Sequence, residues 1–69
     1  PRHAGAVTVE TTGSTLEITH VDPGTGWNYE IEVASGLEVE VDFRKNDRRI
    51  QFNAELEDGE IRVRLRERV

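Results

Sequence analysis

Apolar and polar residues alternate in six segments of this 69-residue chain, and this alternation constrains the fold more than any other feature. Successive side chains of a β-strand point to opposite faces of the sheet, so each segment predicts a strand with one apolar face and one polar face. No long segment places apolar residues at the 3.6-residue spacing of a helix. The apolar positions are Val7 and Val9; Leu16 and Ile18; Trp27, Tyr29, Ile31 and Val33; Leu37, Val39, Val41 and Phe43; Ile50, Phe52, Ala54 and Leu56; and Ile61, Val63 and Leu65.

The turn residues between these segments predict hairpins whose apolar residues share one face. Asp58-Gly59 suits a two-residue loop, because both central positions of a type I′ turn need positive φ. A loop at 58–59 pairs Leu56 with Ile61, Ala54 with Val63 and Phe52 with Leu65. By the same test, a loop at 46–47 pairs Phe43 with Ile50 and Val41 with Phe52, and a loop at 12–13 pairs Val9 with Leu16 and Val7 with Ile18. A three-residue connection at 34–36 pairs Val33 with Leu37, Ile31 with Val39 and Trp27 with Phe43.

These hairpins predict an all-β protein, a six-stranded antiparallel up-and-down meander forming a single β domain over residues 6–69. We expect residues 1–5 to be a flexible lead or linker, and the absence of an initial Met indicates a processed start or a boundary within a longer protein. The loop "HVDPGTG" is irregular, and the break in alternation after His20 suggests a bulge where the second strand ends. Without a helix to cover it, the apolar face must close into a small barrel, fold into a two-layer sandwich or pair with a second copy. We favour closure into a barrel.

The charge balance and the absence of Cys exclude several classes of function. Fourteen acidic residues against nine Lys and Arg give a net charge of −5, which argues against nucleic acid and anionic membranes as partners. No apolar run approaches the roughly 20 residues of a membrane span, so we expect no direct membrane insertion by this fragment. A chain without Cys has no disulfide, thiolate zinc site or cysteine nucleophile. We predict no cofactor and no metal.

The last strand bears a row of arginines on its polar side, formed by Arg62, Arg64, Arg66 and Arg68. One interpretation is a binding stripe for phosphate or an acidic partner, because guanidinium groups match both geometries. The other is internal pairing on the neighbouring strand, since the predicted register places Arg62 opposite Glu55, Arg64 opposite Asn53 and Arg66 opposite Gln51. We favour internal pairing, because cross-strand opposite charges stabilise a sheet and the net charge opposes nucleic acid.

A strip of acidic residues occupies the polar side of the third and fourth strands, formed by Glu30, Glu32, Glu38, Glu40 and Asp42. The predicted register places Glu32 opposite Glu38 and Glu30 opposite Glu40, and like charges directly across a ladder are destabilising. A solvated face is the commonest reason for such a strip, and a docked basic protein is the main alternative. A flat strand face is a poor calcium site. The strip could also approach the arginine row of the same molecule, or that of a neighbour in a head-to-tail assembly.

Candidate catalytic groups are few, and we predict that the chain is not an enzyme. His20 lies near Asp22, but a triad needs a nucleophile, a base and an orienting group in contact. Ser14 and Ser35 occupy hairpin loops, where serine is an ordinary turn residue. Trp27 is a candidate aromatic platform for a sugar or a peptide, although the alternation turns it inward, which we favour.

The stretches "GWNYEIEVASGLEVEVDF", "NDRRIQF" and "AELEDGEIRVRLRE" resemble short C-terminal β domains in uncharacterised proteins of high-GC bacteria, which often follow a disordered linker and a membrane segment. The resemblance covers roughly residues 7–68, implies an extracytoplasmic setting and transfers no functional residue. Our leading hypothesis is a non-catalytic interaction or assembly module that binds a protein partner or a second copy. It would act through the charged outer face or a sheet edge, at residues 7–11 or 62–68. The alternative is a small-ligand domain that uses the Trp27 loop or a barrel mouth.

Overall fold

The computed structural model describes residues 4–68, the last of them by its backbone alone, and all of the regular secondary structure in this range is β-strand. The strands are β1 (Gly5–Thr12), β2 (Thr15–Pro23), β3 (Asn28–Val33), β4 (Ser35–Gly36), β5 (Glu38–Lys45), β6 (Arg48–Glu57) and β7 (Glu60–Arg68). The range contains no helix that is long and apolar enough to cross a membrane. The all-β antiparallel prediction is confirmed. The predicted count of six strands is wrong, because the short β4 was not foreseen.

The strands form two sheets rather than a closed barrel. One sheet has the order β1-β2-β4 and the other the order β3-β5-β6-β7. The chain changes sheet after β3, because the Ile18 N–H donates to the Ala34 carbonyl (3.0 Å) and Gly36 pairs with Leu16 of β2. The chain then returns to the four-stranded sheet, where the Leu56 N–H donates to the Leu37 carbonyl (2.8 Å). Residues 34–37 therefore form a corner that joins the sheets along one side, while β1 and β7 are separate edges on the other.

The two hairpins with two-residue loops have the predicted registers. Leu56 lies opposite Ile61, Ala54 opposite Val63, Phe52 opposite Leu65, Phe43 opposite Ile50 and Val41 opposite Phe52. Asp58 and Gly59 have φ values of 52° and 80°, as a type I′ turn requires. A short turn and a single apolar face together leave one register for each hairpin.

The predicted register of the first hairpin is wrong. The turn lies at 13–14, with Gly13 at φ 63° and the Thr15 hydroxyl donating to the Thr12 carbonyl (3.1 Å). Leu16 therefore lies opposite Thr11, Val9 opposite Ile18 and, beyond a bulge, Val7 opposite Val21. The expected bulge near His20 is present, but β2 continues past it to Pro23.

The predicted pairing of the third and fourth segments is also wrong, by two residues. Tyr29 lies opposite Phe43, Ile31 opposite Val41 and Glu30 opposite Asp42, while Val33 is opposite Glu40 beyond a bulge at Glu32. Trp27 precedes β3 and has no strand partner there. The prediction assumed a three-residue hairpin loop, whereas two of those residues are β4 and pair with β2.

Two groups of buried side chains hold the sheets together. Leu16 of β2 packs with Val39 of β5 and Ala54 of β6, and all three are fully buried. The second group comprises Ala4, Trp27, Val41 and Phe43. Of the predicted lead, residues 1–3 lie outside the described residues, while Ala4 packs in this group and Gly5 begins β1.

Leu16→Ala should lower the free energy of unfolding by about 2–5 kcal/mol, because it removes a fully buried side chain between the sheets. A domain of this size has only about 3–10 kcal/mol of net stability, so the variant should be largely unfolded or close to it. Urea unfolding followed by Trp27 fluorescence measures the loss. Leu37→Ala is the control, because Leu37 is 64% exposed and its truncation should change stability little. Equal losses in the two variants would contradict this account of the core.

Candidate functional site

The open edge of β7 presents backbone hydrogen-bonding groups to a potential partner. Glu57 and Glu60 flank the type I′ turn and form the first hydrogen-bonded pair of the β6–β7 ladder. Bonded and non-bonded pairs alternate along an antiparallel ladder. The N–H groups of Ile61, Val63 and Leu65 therefore point away from β6, towards the open side. Such an edge is a template for another strand.

The apolar face of β7 is exposed, although the alternation predicts that it is turned towards the core. Ile61, Val63 and Leu65 are 45%, 56% and 69% exposed. The three-stranded sheet is narrow and packs on β5 and β6, so it does not extend over β7. The face borders a groove of about 270 Å³ between β1 and β7. Its lining is largely apolar and includes Val7, Ile50, Phe52, Val63 and Leu65.

The opposite, polar face of β7 bears the arginine row. The register places Arg62, Arg64 and Arg66 opposite Glu55, Asn53 and Gln51, as predicted. The expected Arg62–Glu55 ion pair is not formed, because the Arg62 Nε lies 2.9 Å from the Glu57 carboxylate instead. Arg64 and Arg66 form no ion pair with any described carboxylate. The side chain of Arg68 lies outside the described residues.

The amides that face these arginines are engaged with the acidic strip. Gln51 donates to the Glu40 carboxylate, and Asn53 donates to the Glu38 carboxylate. An amide group carries no charge and so does not neutralise an arginine. Internal pairing therefore accounts for Arg62 but leaves the guanidinium groups of Arg64 and Arg66 available to a partner.

Negative charge accumulates at the other side of the same face. Glu30 lies opposite Asp42, and Glu32 occupies the adjacent bulge. The charge of Glu30 is the largest cause that raises the pKa of Glu32, and desolvation and the charges of Asp42 and Glu40 act in the same direction. The buried Asp42 Oδ1 accepts no hydrogen bond from the described residues. The guanidinium of Arg44 lies 4.0 Å from the Glu30 carboxylate.

Trp27 belongs to the core rather than to a binding platform. Its side chain is 9% exposed and packs with Val41 and Phe43. The Lys45 Nζ and the Arg48 Cζ lie 6.0 Å and 5.5 Å from its ring centroid, within the range of cation–π contacts. These two cations cover the ring and restrict access to it.

The remaining candidate group from the sequence is His20. His20 is exposed and lies in β2 opposite Thr8. Among residues 4–68, no group of three or more His, Cys, Asp or Glu side chains has an arrangement that could hold a metal ion.

The chain matches no protein-family model, no curated protein and no solved structure in the three comparisons.

Glu32→Gln should stabilise the fold at about pH 7, because it removes a charge that Glu30, Asp42 and Glu40 repel. Glu32 has a raised pKa in the folded state, so the folded chain binds its proton more tightly than the unfolded chain does. The Glu32 contribution to stability therefore falls as the pH rises from the unfolded to the folded pKa, and the deficit persists above that window.

Urea midpoints at both ends of the pH range measure this effect. The midpoint of Glu32→Gln should exceed that of the wild type near neutral pH. At about pH 3, where both side chains are neutral, the two midpoints should converge. A constant difference across the range would show that the amide acts through packing rather than through charge.

Proposed function

We propose that this β domain is a non-catalytic interaction module that binds an extended protein segment along β7. The main support for this proposal is that three features occur together on one strand. Its outward N–H groups are open, its apolar face is exposed, and Arg64 and Arg66 lack described carboxylate partners. Together they match the requirements of strand addition.

The geometry of a sheet defines the chemistry of the segment. A strand added to β7 forms backbone hydrogen bonds with Ile61, Val63 and Leu65. Its inward side chains lie beside these residues and over the groove that borders β1, which favours apolar residues. Its outward side chains lie beside Arg64 and Arg66, which favours Asp and Glu. The preferred partner is therefore an extended segment in which apolar and acidic residues alternate.

The expected affinity is modest. Opposite charges across a ladder contribute about 0.2–1 kcal/mol per pair, and a single added strand is smaller than a standard interface of roughly 800 Å² per partner. Ordering a flexible segment also opposes binding. We therefore expect dissociation constants that are roughly micromolar or weaker.

The other surfaces have weaker support as binding sites. β1 is also an edge strand, but its outward polar residues are Thr8, Glu10 and Thr12, which include no base that could complement an acidic segment. The small-ligand alternative loses its aromatic platform, because Trp27 is buried beneath Lys45 and Arg48. The resemblance to bacterial C-terminal domains, the extracytoplasmic setting and the exclusion of nucleic acid remain predictions.

A peptide titration tests binding along β7. The probe is a blocked peptide of alternating valine and glutamate, about eight residues long, which is within the usual length of a strand. Its addition should shift the amide NMR signals of Ile61, Val63 and Leu65. A matched valine–lysine peptide should produce much smaller shifts, because its charge repels the arginine row.

Variants of the protein supply the second control. Arg64→Glu with Arg66→Glu should weaken binding of the valine–glutamate peptide by roughly tenfold or more, since two attractive pairs become repulsive. Arg44→Glu reverses one charge on β5, away from the β7 edge, and should have a smaller effect. Shifts confined to β1 or β3, or no shifts at all, would refute the proposed site.

A further inference from the structure

The polar face of the four-stranded sheet has opposite charges at its two edges. Glu30 and Glu32 lie on the β3 edge, and Arg64 and Arg66 lie on the β7 edge. Between them, Asp42 is opposite Gln51 and Glu40 is opposite Asn53, so the face changes from acidic residues through amides to arginines. One edge of the sheet thus has the charge that the other edge attracts.

The β3 edge also resembles the β7 edge in its apolar residues. Tyr29 and Ile31, opposite Phe43 and Val41, are 44% and 42% exposed, so this strand too extends beyond the cover of the second sheet. They alternate with Glu30 and Glu32, which is the apolar–acidic pattern that β7 is proposed to bind.

The backbone N–H groups of β3 also point outward at the residues that would pair with β7. Because the loop at 46–47 is a two-residue turn, alternation along the β5 ladder directs the backbone groups of Asp42 towards β3. Its partner Glu30 therefore bonds to β5. The N–H groups of Tyr29 and Ile31 point towards the open side, as those of Ile61 and Val63 do on β7.

The direction of the strands permits the two edges to meet. Adjacent strands of the order β3-β5-β6-β7 are antiparallel, so β3 and β7 run in opposite directions. A second copy placed beside the first by translation across the sheet therefore brings its β3 antiparallel to β7. Hydrogen-bonded pairs then join apolar residues on the inner face. The non-hydrogen-bonded pair at Glu30, with Cα atoms about 4.5 Å apart, brings an arginine opposite this glutamate, and a second arginine lies close to Glu32 at the bulge.

We propose that β7 of one copy pairs with β3 of a second copy, so that the four-stranded sheets join edge to edge and the arginine row meets Glu30 and Glu32. This inference rests on the proposed function, because it names a second copy as the partner of the β7 edge. The pairing is head-to-tail and leaves a free β3 edge at one end and a free β7 edge at the other. Further copies can therefore add to a chain of domains.

Charge selects this pairing over symmetric ones. A twofold β7–β7 contact would bring arginines opposite arginines, and a β3–β3 contact would bring Glu30 and Glu32 close to their own copies. Like charges directly across a ladder are destabilising, whereas the β7–β3 contact brings arginines close to Glu30 and Glu32.

Two proline variants test the pairing directly. Val63→Pro removes an outward N–H from β7, and Ile31→Pro removes one from β3, while neither removes a hydrogen bond to the neighbouring strand. Each variant blocks one edge and leaves the other intact. Sedimentation equilibrium at roughly millimolar concentration, where contacts of this size are populated, should give each variant alone the 7.8 kDa mass of one chain. An equimolar mixture should approach twice that mass and stop there, whereas the wild type should exceed it.

Charge reversal provides a second test that does not depend on tolerance of proline. Arg64→Glu with Arg66→Glu in one chain, and Glu30→Lys with Glu32→Lys in another, should each remain monomeric. Mixing the two chains should restore association, because each reversed edge finds a complementary edge on the other. Circular dichroism and Trp27 fluorescence verify that each variant is folded.

The outcomes separate this inference from the proposed function. A monomeric wild type, or a mixture of folded proline variants that stays monomeric, overturns the β7–β3 pairing. Dimers of Ile31→Pro alone overturn it in favour of a β7–β7 contact. If the valine–glutamate peptide still binds β7 in any of these cases, the interaction module stands and only its partner is wrong. Failure of that peptide to bind refutes the module itself.

Discussion

The packing of Leu16 against Val39 and Ala54 determines the shape of the molecule. A chain of 69 residues provides only enough strand for a narrow second layer, in which β4 contributes two residues. That layer buries the centre of the four-stranded sheet and leaves its outer strands partly uncovered. The exposed apolar residues of β3 and β7 are therefore a consequence of unequal sheet widths. The surface available to partners is therefore the apolar surface that the small core leaves unburied.

The predictability of the strand pairs depends on how the chain turns between them. The β5–β6 and β6–β7 hairpins have two-residue loops, and the alternation on both sides then permits one register. The β1–β2 and β3–β5 pairs each contain a bulge, which adds a residue to one strand and shifts every later pair. A bulge has little local sequence signature. The break in alternation after His20 indicated one of them, and nothing comparable marked the bulge at Glu32.

The switch of β4 into the other sheet was beyond a local interpretation of the sequence. Ser35 and Gly36 have the composition of a turn, and their pairing with Glu17 and Leu16 depends on the position of a strand some twenty residues earlier. The exposure of the β7 apolar face was equally hidden. Alternation specifies which side of a strand is apolar, but the cover on that side is a property of the assembled sheets.

The charged residues of the site were identified from the sequence more completely than their contacts were. Arg62, Arg64 and Arg66 have the cross-strand neighbours that the register predicted. Arg62 nevertheless pairs with Glu57, because its long and flexible side chain can reach more than one nearby carboxylate. The acidic strip is grouped as predicted, with a different set of opposing residues because β3 is displaced by two positions.

The corner at residues 34–37 has a consequence for motion. It connects the two layers by backbone hydrogen bonds from Ile18 and Leu56 along one flank, while the flank between β1 and β7 is held by side-chain packing around Val7 and Phe52. Separation of the two layers is therefore expected to be easier at the flank between β1 and β7 than at the corner. Amide hydrogen exchange should be slower at the bonded N–H groups of Ile18 and Leu56 than along β1 and the open edge of β7, so the less protected flank coincides with the proposed recognition surface on β7.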